Sequence, residues 1–337
     1  MASINKTAKT ITAILKTSAA ATCIMVGAPG MGKSEATYQI GSDLGISEDR
    51  ILVVHANNHD VVDMTGVPSV HDGQTIFNPT AMFYQFREGT GPGLIVLEEV
   101  PQSNHQMQTW IAGFVLERQT PTFKLDPEVR IIMTGNRAED RSGAKPLLAH
   151  LNDRLYFFDV ETSLDDWCEW AMDNDVDPLG IAFMRLRPEL LNDFDPARRS
   201  NPTQRSWTKL FTEVPTDLPT DMYFEAAKGK VGEGAASEWV AARDMMVKMP
   251  SIDAIRMRPE SVEIPAEPAV KFAVATALSM TAEATSFDRD LLYIDRMPKE
   301  FQMVYVSDVV RRVPAVQQSK AFITWAVANK DIFMGGE

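Results

Sequence analysis

Eight consecutive residues near the amino terminus constrain the fold of this chain more than any other stretch. Their sequence, Gly27-Ala28-Pro29-Gly30-Met31-Gly32-Lys33-Ser34, matches the pattern G-x-x-x-x-G-K-[ST] of a phosphate-binding loop, the P-loop. The apolar segment 22–26 before it predicts a buried strand, and the segment 35–40 after it predicts the start of a helix. A glycine-rich turn that matches by chance is the alternative, and the flanking strand and helix patterns argue against it.

The residue types in this loop predict how it would hold ATP. Glycine lets the backbone turn without a Cβ in the way, and a loop between strand and helix directs consecutive N–H groups at an anion. Lys33 would reach the β- and γ-phosphates, and the Ser34 hydroxyl would take one coordination position on Mg²⁺. The predicted nucleotide-binding residues are Gly27, Ala28, Pro29, Gly30, Met31, Gly32, Lys33, Ser34 and Glu35.

The length and charge describe an acidic globular protein. A chain of 337 residues can bury one large core or two ordinary ones, so we expect two or three packed units. The net charge is −13, and an acidic surface repels a nucleic-acid backbone unless a local basic patch overrides it. The charge therefore argues against nucleic acid as a partner.

The amino-terminal segment faintly resembles an export signal, but Lys16 interrupts the apolar core that such a signal needs. No apolar run approaches membrane-spanning length, and two cysteines, Cys23 and Cys168, are too few for a disulfide framework. We therefore expect a cytoplasmic protein without membrane insertion, or one in the host cytoplasm if a phage encodes it. Helical spacing predicts an amphipathic helix packed on the nucleotide domain through Ile4, Ala8, Ile11 and Leu15.

A second stretch carries two carboxylates at the end of a predicted strand. The apolar run 94–97 is followed by Glu98 and Glu99, which fits a central parallel strand whose carboxyl end opens onto a ligand crevice. This pattern looks like a Walker B segment, in which Glu98 would hold the Mg²⁺ shell and Glu99 would polarise the attacking water. The alternative is a strand that ends in solvated acids.

Glu98 departs from the Walker B pattern, whose usual first residue is Asp. The extra methylene moves the carboxylate outward by about 1.5 Å, one carbon–carbon bond. A backbone shift could absorb this change, or the change could slow hydrolysis.

Two histidines and a turn signal lie between these motifs. The segment 51–55 predicts a second apolar strand, which ends at His55. His55 and His59 could suggest a metal site, but no cysteine or acidic cluster is spaced to complete one, so we favour histidines at a strand end. In 60–77, Asp72-Gly73 between alternating apolar residues predicts a hairpin inserted into the core. The hairpin would contact a partner or would be a surface connection without a special role.

The remaining pattern of the first half predicts an α/β core. Ser103 would cap a helix that ends at Glu117-Arg118. Asn136 follows the next buried strand, where its amide could orient the lytic water or sense the γ-phosphate, although it could also be an ordinary turn asparagine. Further elements are predicted as helices at 81–88 and 147–153, a short strand or hairpin at 122–125, a buried strand at 129–134 and a strand at 155–160.

After residue 163 the strand signal ends and helical patterns follow. Residues 226–234 predict a glycine-rich turn, which is not a second P-loop because it lacks a Lys-Ser pair, and the proline-rich stretch 250–268 predicts a linker. The fold class we expect is α/β: a P-loop core with a parallel sheet, an α-helical lid and a mostly helical carboxyl-terminal extension. Their expected bounds are 1–160, 161–250 and 251–337.

These segments, in this order, resemble AAA+ ATPases and, within them, the MoxR-like branch found in bacteria and their phages. The resemblance covers roughly residues 20–210. It is carried by the P-loop, Leu94–Glu99, Thr134-Gly135-Asn136, Leu151-Asn152-Asp153-Arg154 and Gln204-Arg205-Ser206-Trp207.

The resemblance implies roles that spacing alone does not. Asn136 resembles the sensor 1 residue, Arg154 resembles the arginine finger offered to the ATP of a neighbouring subunit, and Arg205 resembles sensor 2, which closes the lid on the γ-phosphate. With Glu99, these residues form the predicted catalytic set, and Ser34 and Glu98 form the predicted metal set. Gln204 replaces a common Pro, a departure that we expect to be minor.

The family implies a homo-oligomeric ring, usually a hexamer, that hydrolyses ATP with Mg²⁺ to remodel a protein client. Members often act beside a von Willebrand factor A-type protein, which we expect to be a separate partner. Two alternatives remain open: a nucleic-acid motor or packaging factor, and a nucleotide-binding switch that hydrolyses slowly because Glu98 replaces Asp.

Overall fold

The computed structural model of this chain describes residues 2–140 and 143–330, without the side chain of Glu139. The chain divides into two compact units. Unit 1 comprises Met1–Ser163 and Phe194–Arg199, and unit 2 comprises Leu164–Asp193 and Ser200–Glu337. The predicted lid over 161–250 and extension over 251–337 stay predictions.

Unit 1 is an α/β structure. Its strands are β1 (Ala2–Ser3), β2 (Thr22–Val26), β3 (Ile51–His55), β4 (Val67–His71), β5 (Gln74–Asn78), β6 (Gly93–Glu98), β7 (Val129–Gly135) and β8 (Tyr156–Glu161). Its helices are α1 (Ile4–Thr17), α2 (Lys33–Asp43), α3 (Val61–Thr65), α4 (Ala81–Tyr84), α5 (His105–Glu117) and α6 (Ala149–Asn152).

Six strands form one parallel sheet in the order β1-β8-β2-β7-β6-β3. All strands of a parallel sheet run the same way, so the sheet has an amino edge, where the strands begin, and a carboxyl edge, where they end. The P-loop follows β2 at the carboxyl edge. The predicted fold class, an α/β P-loop core with a parallel sheet followed by helical structure, is confirmed.

Successive apolar side chains along a strand point to opposite faces of this sheet, and helices cover both faces. Ile95 and Leu97 of β6 pack in one apolar cluster with α5, whereas Leu94 and Val96 pack in another with α1 and α2. Strands buried on both faces read as continuous apolar runs, which is the pattern of 94–97. The amino-terminal helix is confirmed as α1, and it buries Ala8, Ile11 and Leu15.

The hairpin in 60–77 is also confirmed. Strands β4 and β5 pair in antiparallel register, and the turn between them is Asp72-Gly73, both with positive φ. Every residue of β5 is exposed, so the hairpin projects from the core of unit 1.

Several local predictions for unit 1 are wrong in detail. The cap of α5 is Asn104, whose side chain accepts a hydrogen bond from Met107 N, whereas the Ser103 hydroxyl donates back to Val100 O. The segments 81–88 and 147–153 form helices only over Ala81–Tyr84 and Ala149–Asn152. The segment 122–125 contributes isolated bridges rather than a strand.

In its described part, unit 2 contains helices joined by loops and no strand. Its helices are α7 (Leu164–Asp173), α8 (Pro178–Leu186), α9 (Gln204–Glu213), α10 (Thr220–Val231), α11 (Glu233–Met246), α12 (Ile252–Met257), α13 (Pro268–Met280), α14 (Phe287–Ile294), α15 (Lys299–Arg312) and α16 (Lys320–Ala328). Two apolar clusters fill it, and α13 contributes to both. Arg185 of α8 forms an ion pair with Asp308 of α15, in which Arg185 Nη2 donates to both carboxylate oxygens and joins these helices.

Two predictions for unit 2 are corrected. The glycine-rich stretch 226–234 is not a turn, because α10 and α11 run through it and only Gly232, at φ 87°, separates them. The stretch 250–268 is not a plain linker, because it contains α12, which buries Ile255. In residues 2–140 and 143–330, no helix is both long and apolar enough to cross a membrane.

Candidate functional site

The P-loop connects β2 to α2 at the carboxyl edge of the sheet. Gly30 and Gly32 have φ values of 78° and 81°, a region that side chains with a Cβ rarely enter. A Cβ at Gly27 would lie 3.0 Å from Val160 O, so the loop also needs glycine there for close packing on β8. The loop conformation thus depends on the glycines of the motif.

The first turn of α2 is open to an anion. Gly32 is the N-cap of α2 and provides no side-chain cap, and the first N–H groups of a helix have no partner within the helix. These groups and the helix dipole favour negative charge. Ser34 is half-buried in this first turn, Glu35 is exposed, and Thr37 donates to Ser34 O.

Lys33 joins the P-loop to the end of β7, the strand that follows β6 in the chain. Its Nζ donates to Gly27 O and Ala28 O, each at 2.8 Å, and to Asn136 Oδ1 at 2.9 Å. Gly27 N also donates to Gly135 O at 3.2 Å. The structure therefore brings together two residues, 103 positions apart, that the sequence predicts to act on the same phosphate.

Glu98 and Glu99 lie at the end of β6, as the sequence predicts. Glu98 is 6% exposed, and its Oε2 lies 3.3 Å from His55 Nδ1. Its Oε1 is buried and has no hydrogen-bond partner in the part of the chain that the structure describes. A carboxylate oxygen left in this way suits a divalent cation, for which carboxylate oxygens are preferred ligands, so the residues present fit Mg²⁺.

Glu99 has an unusual backbone. Its φ and ψ are 58° and 34°, the left-handed helical region, which costs a residue with a Cβ roughly 1–2 kcal/mol. Such strain clusters at functional sites because the surrounding structure maintains it there. Glu99 is half-buried and precedes the short 3-10 turn Val100–Gln102.

Arg154 does not join this group. It precedes β8 at the amino edge, whereas the P-loop follows β2 at the carboxyl edge, and the paired residues 23–26 and 156–159 lie between. Four paired residues span roughly 10–13 Å at about 3.3 Å per residue. In residues 2–140 and 143–330 the Arg154 side chain has no ion pair, so it pairs with neither of the nearby carboxylates in the sequence, Asp153 and Asp159.

Arg205 belongs to unit 2. It is the second residue of α9 and is exposed, and a capping box between Thr203 and Ser206 fixes the start of this helix. Its role as sensor 2 stays a prediction.

The histidines do not form a metal centre in the described residues. His55 contacts Glu98, and His59 lies 3.4 Å from Asp63, but in residues 2–140 and 143–330 no group of three or more His, Cys, Asp or Glu side chains could hold a metal ion. The contact between His55 and Glu98 was missed from the sequence. The signal was that both residues end apolar runs that predict strands.

A shallow cavity lies away from the P-loop. Its volume is about 590 Å³, and its lining includes Ile14, Thr17 and Tyr156 but no charged side chain. It therefore offers no positively charged side chain to a phosphate.

No protein-family model matches this sequence, and neither does any curated protein. Among solved structures, the chain is similar to NtrX from Brucella abortus in complex with ATP, at 13% identity over 99% of this chain and 69% of that chain, with a TM-score of 0.42. The same protein in complex with ADP gives 14% identity, 98% and 68% coverage and a TM-score of 0.41. The chain is also similar to a DNA polymerase III gamma subunit-related protein from Thermotoga maritima, at 12% identity over 95% of this chain and 96% of that chain, with a TM-score of 0.36. Likenesses this weak assign neither a family nor a function to this chain.

Proposed function

We propose that this chain is a MoxR-like AAA+ ATPase that binds ATP and Mg²⁺ at the P-loop and hydrolyses the nucleotide in a ring of identical subunits. The observation that supports this proposal most strongly is the contact between Lys33 and Asn136. It places the lysine of the phosphate-binding motif against the amide that resembles sensor 1, so one γ-phosphate could contact both side chains.

Each remaining residue has a defined part in this proposal. Ser34 and Glu98 would hold Mg²⁺, which neutralises charge on the β- and γ-phosphates. Glu99 would orient the attacking water and accept a proton from it. Arg205 is the candidate for the sensor 2 role that the resemblance implies.

The ring is supported by the position of Arg154. An arginine finger stabilises the negative charge that spreads over the γ-phosphate in the transition state. Arg154 lies near the amino edge without an ion pair in the described residues, so it would serve the ATP of a neighbouring subunit rather than that of its own chain. A hexamer is the ring size that the family resemblance favours.

The proposed client is a protein. The net charge of −13 disfavours a nucleic-acid track, and the resemblance favours a partner with a von Willebrand factor A-type domain. The exposed hairpin β4–β5 is a candidate surface for the client.

One observation favours the second candidate, a switch with slow hydrolysis. Glu98 replaces the usual Asp, and its Oε2 already faces His55. A phosphate-release assay at saturating ATP distinguishes the two candidates, because a switch would bind ATP without sustained turnover.

The test of the proposal is the Lys33→Ala variant. Removing the ammonium group that compensates the phosphates should lower turnover by at least about 100-fold and weaken binding of a fluorescent ATP analogue. Lys9→Ala is the matched control, because Lys9 is an exposed lysine of α1 that is not part of the motif. Wild-type turnover in Lys33→Ala would contradict the P-loop assignment.

A further inference from the structure

Two strand ends meet at the carboxyl edge of the sheet. His55 is the last residue of β3, Glu98 is the last residue of β6, and the parallel register pairs them directly. Successive side chains alternate between the faces of a sheet, so paired residues of adjacent strands lie on the same face. The 3.3 Å contact between His55 Nδ1 and Glu98 Oε2 is therefore built into the register.

The two oxygens of the Glu98 carboxylate have different surroundings. Oε2 faces His55, while Oε1 is buried and has no hydrogen-bond partner among the described residues. Leaving a buried polar atom unsatisfied costs free energy, and native structures retain such atoms mainly where a ligand, water or ion completes them. Oε1 is thus the oxygen available to a cation.

The length of Glu98 explains why it needs a second contact. Compared with Asp, Glu has one more rotatable bond, and fixing a long side chain costs about 1–2 kcal/mol of rotamer entropy. A neighbour that fixes one carboxylate oxygen lowers this cost at the moment of metal binding. Carboxylates that bind metals are commonly held in this way by outer partners, whose removal costs 10–100-fold in metal affinity.

We propose that His55 is a positioning residue for Glu98: it holds Oε2 so that Oε1 is available to the divalent cation that accompanies the nucleotide. This inference rests on the proposed function, since it requires a nucleotide and a cation at the P-loop. His55 takes no part in the chemistry itself.

The test is the affinity of the protein–ADP complex for Mn²⁺, read from the electron paramagnetic resonance of free Mn²⁺ with protein in excess over ADP. His55→Ala should lower this affinity by about 10-fold or more and leave ADP affinity in EDTA unchanged. His55→Asn, which keeps an N–H donor near the position of Nδ1, should restore most of the loss. Equal Mn²⁺ affinity in wild type and His55→Ala would overturn the proposal.

His59→Ala is the matched control. His59 also lies against a carboxylate, with its Nδ1 3.4 Å from Asp63 Oδ2, but this carboxylate is not predicted to bind metal. The His59→Ala substitution should leave the Mn²⁺ affinity of the protein–ADP complex unchanged. A loss equal to that of His55→Ala would show a general effect of removing a histidine and would overturn the proposal.

A double-mutant cycle separates positioning from a general effect on folding. In the Glu98→Asp background the shorter carboxylate no longer reaches His55, so His55→Ala should there have little further effect on Mn²⁺ affinity. An equal loss in both backgrounds would mean that His55 acts through the fold rather than through Glu98. A wild-type chain that binds no ADP would instead refute the proposed function itself, and this inference with it.

Discussion

Two carboxylates of unit 1 are equally withdrawn from solvent and yet have opposite surroundings. Glu98 and Asp126 are each 6% exposed. Asp126 precedes β7 at the amino edge of the sheet, and both oxygens of its carboxylate accept hydrogen bonds from backbone N–H groups. Glu98 ends β6 at the carboxyl edge, and one of its oxygens has no partner in the described chain. Two equally buried carboxylates therefore differ in how far the protein itself satisfies their hydrogen-bonding capacity.

The amino edge shows what a structural carboxylate looks like. Asp126 Oδ2 accepts hydrogen bonds from Gly89 N and Gly91 N, and Oδ1 accepts one from Glu128 N, all at 2.8–3.0 Å. Burial works to raise the pKa of Asp126, but these donors outweigh it and lower the pKa below its ordinary value. From the other side, the Arg50 guanidinium donates to carbonyl oxygens of the same loop. At the amino edge, the charged side chains of Asp126 and Arg50 therefore hold the backbone of the loop before β6 in place.

The carboxyl edge holds groups whose present partners a ligand can replace. Lys33 donates to two carbonyls and an amide, and an ammonium group binds a phosphate more strongly than such neutral acceptors. The backbone of Glu99 is strained, and one buried oxygen of Glu98 has no hydrogen-bond partner among the residues that the structure describes. The comparison predicts that substitutions at the carboxyl edge change the rate of reaction, whereas those at the amino edge change stability.

Arg154 is the residue that could break this comparison, because it lies at the amino edge and we propose a catalytic role for it. Arg154→Ala should lower ATP turnover by about 10³–10⁵-fold, the range observed for arginine fingers. ATP binding and the melting temperature should stay near wild type, because the side chain makes no ion pair in residues 2–140 and 143–330. Phosphate release and calorimetry measure the two quantities.

Mixing subunits tests whether Arg154 acts on a neighbour. A mixture of Arg154→Ala and Glu99→Gln chains should recover part of the activity, because one type of interface pairs an intact Glu99 with an intact Arg154. Arg258→Ala, at an exposed arginine of unit 2, is the control and should keep full turnover. Constant activity per chain down to monomer dilutions, without recovery in the mixture, would return Arg154 to a structural role.

Glu99→Gln should separate binding from hydrolysis at the carboxyl edge. The amide keeps the shape of the side chain but loses the basic oxygen that accepts a proton from water, so turnover should fall by about 10²–10⁴-fold. ATP affinity should stay near wild type, which equilibrium binding of a labelled analogue measures. If affinity falls and hydrolysis per bound ATP does not, the roles assigned to Glu98 and Glu99 are exchanged.

Asp126→Asn should have the opposite profile. The amide loses the negative charge and places an NH₂ group against backbone donors, which should lower the free energy of unfolding by about 2–4 kcal/mol. Turnover of the folded variant should match wild type. Glu128→Gln is the matched control, since the Glu128 side chain is exposed and the residue contacts Asp126 through its backbone N–H, which the substitution keeps. Denaturant unfolding measures both variants, and a loss of turnover without a loss of stability would contradict the structural role of Asp126.

The same residue predicts a dependence on pH. Because the folded-state pKa of Asp126 lies below its ordinary value, its contribution to stability is complete above about pH 4 and is lost as the pH falls through the folded-state pKa. The difference in stability between wild type and Asp126→Asn should therefore shrink below about pH 4. A difference that stays constant through this range would show that charge is not its source.

The fold of unit 1 could largely be predicted from the sequence because its signals are local. Apolar runs such as 94–97 mark strands buried on both faces, and Asp72-Gly73 marks the hairpin. Local signals failed where neighbouring residues compete: Ser103 and Asn104 are both good caps, and the bond from Ser103 back to Val100 O leaves the cap to Asn104. Gly229 is accommodated within α10, although glycine favours turns in a sequence.

The candidate site was predicted as a set of residues but not as an arrangement. The contact between His55 and Glu98 depends on strand register, and the distance of Arg154 from the P-loop of its own chain depends on the parallel pairing of β8 with β2. Neither property is encoded in any short segment, because both arise from pairing between distant strands. The positive φ of Glu99 likewise results from the turn into the 3-10 segment that follows it.

The smallest expected effect concerns the strain at Glu99. Glu99→Gly removes the Cβ from a left-handed backbone, a relief of roughly 1–2 kcal/mol, partly offset by about 0.5–1 kcal/mol because glycine gains more freedom in the unfolded chain. We expect a net gain of about 0.5–1 kcal/mol in unfolding free energy together with the loss of turnover. Asp72→Gly at the hairpin turn, where φ is 50°, is the control and should gain less, because Asp tolerates this region better. If Glu99→Gly is instead destabilising, the native contacts of the Glu99 side chain outweigh its backbone strain, and the carboxyl edge is held together by the same groups that we propose to do its chemistry.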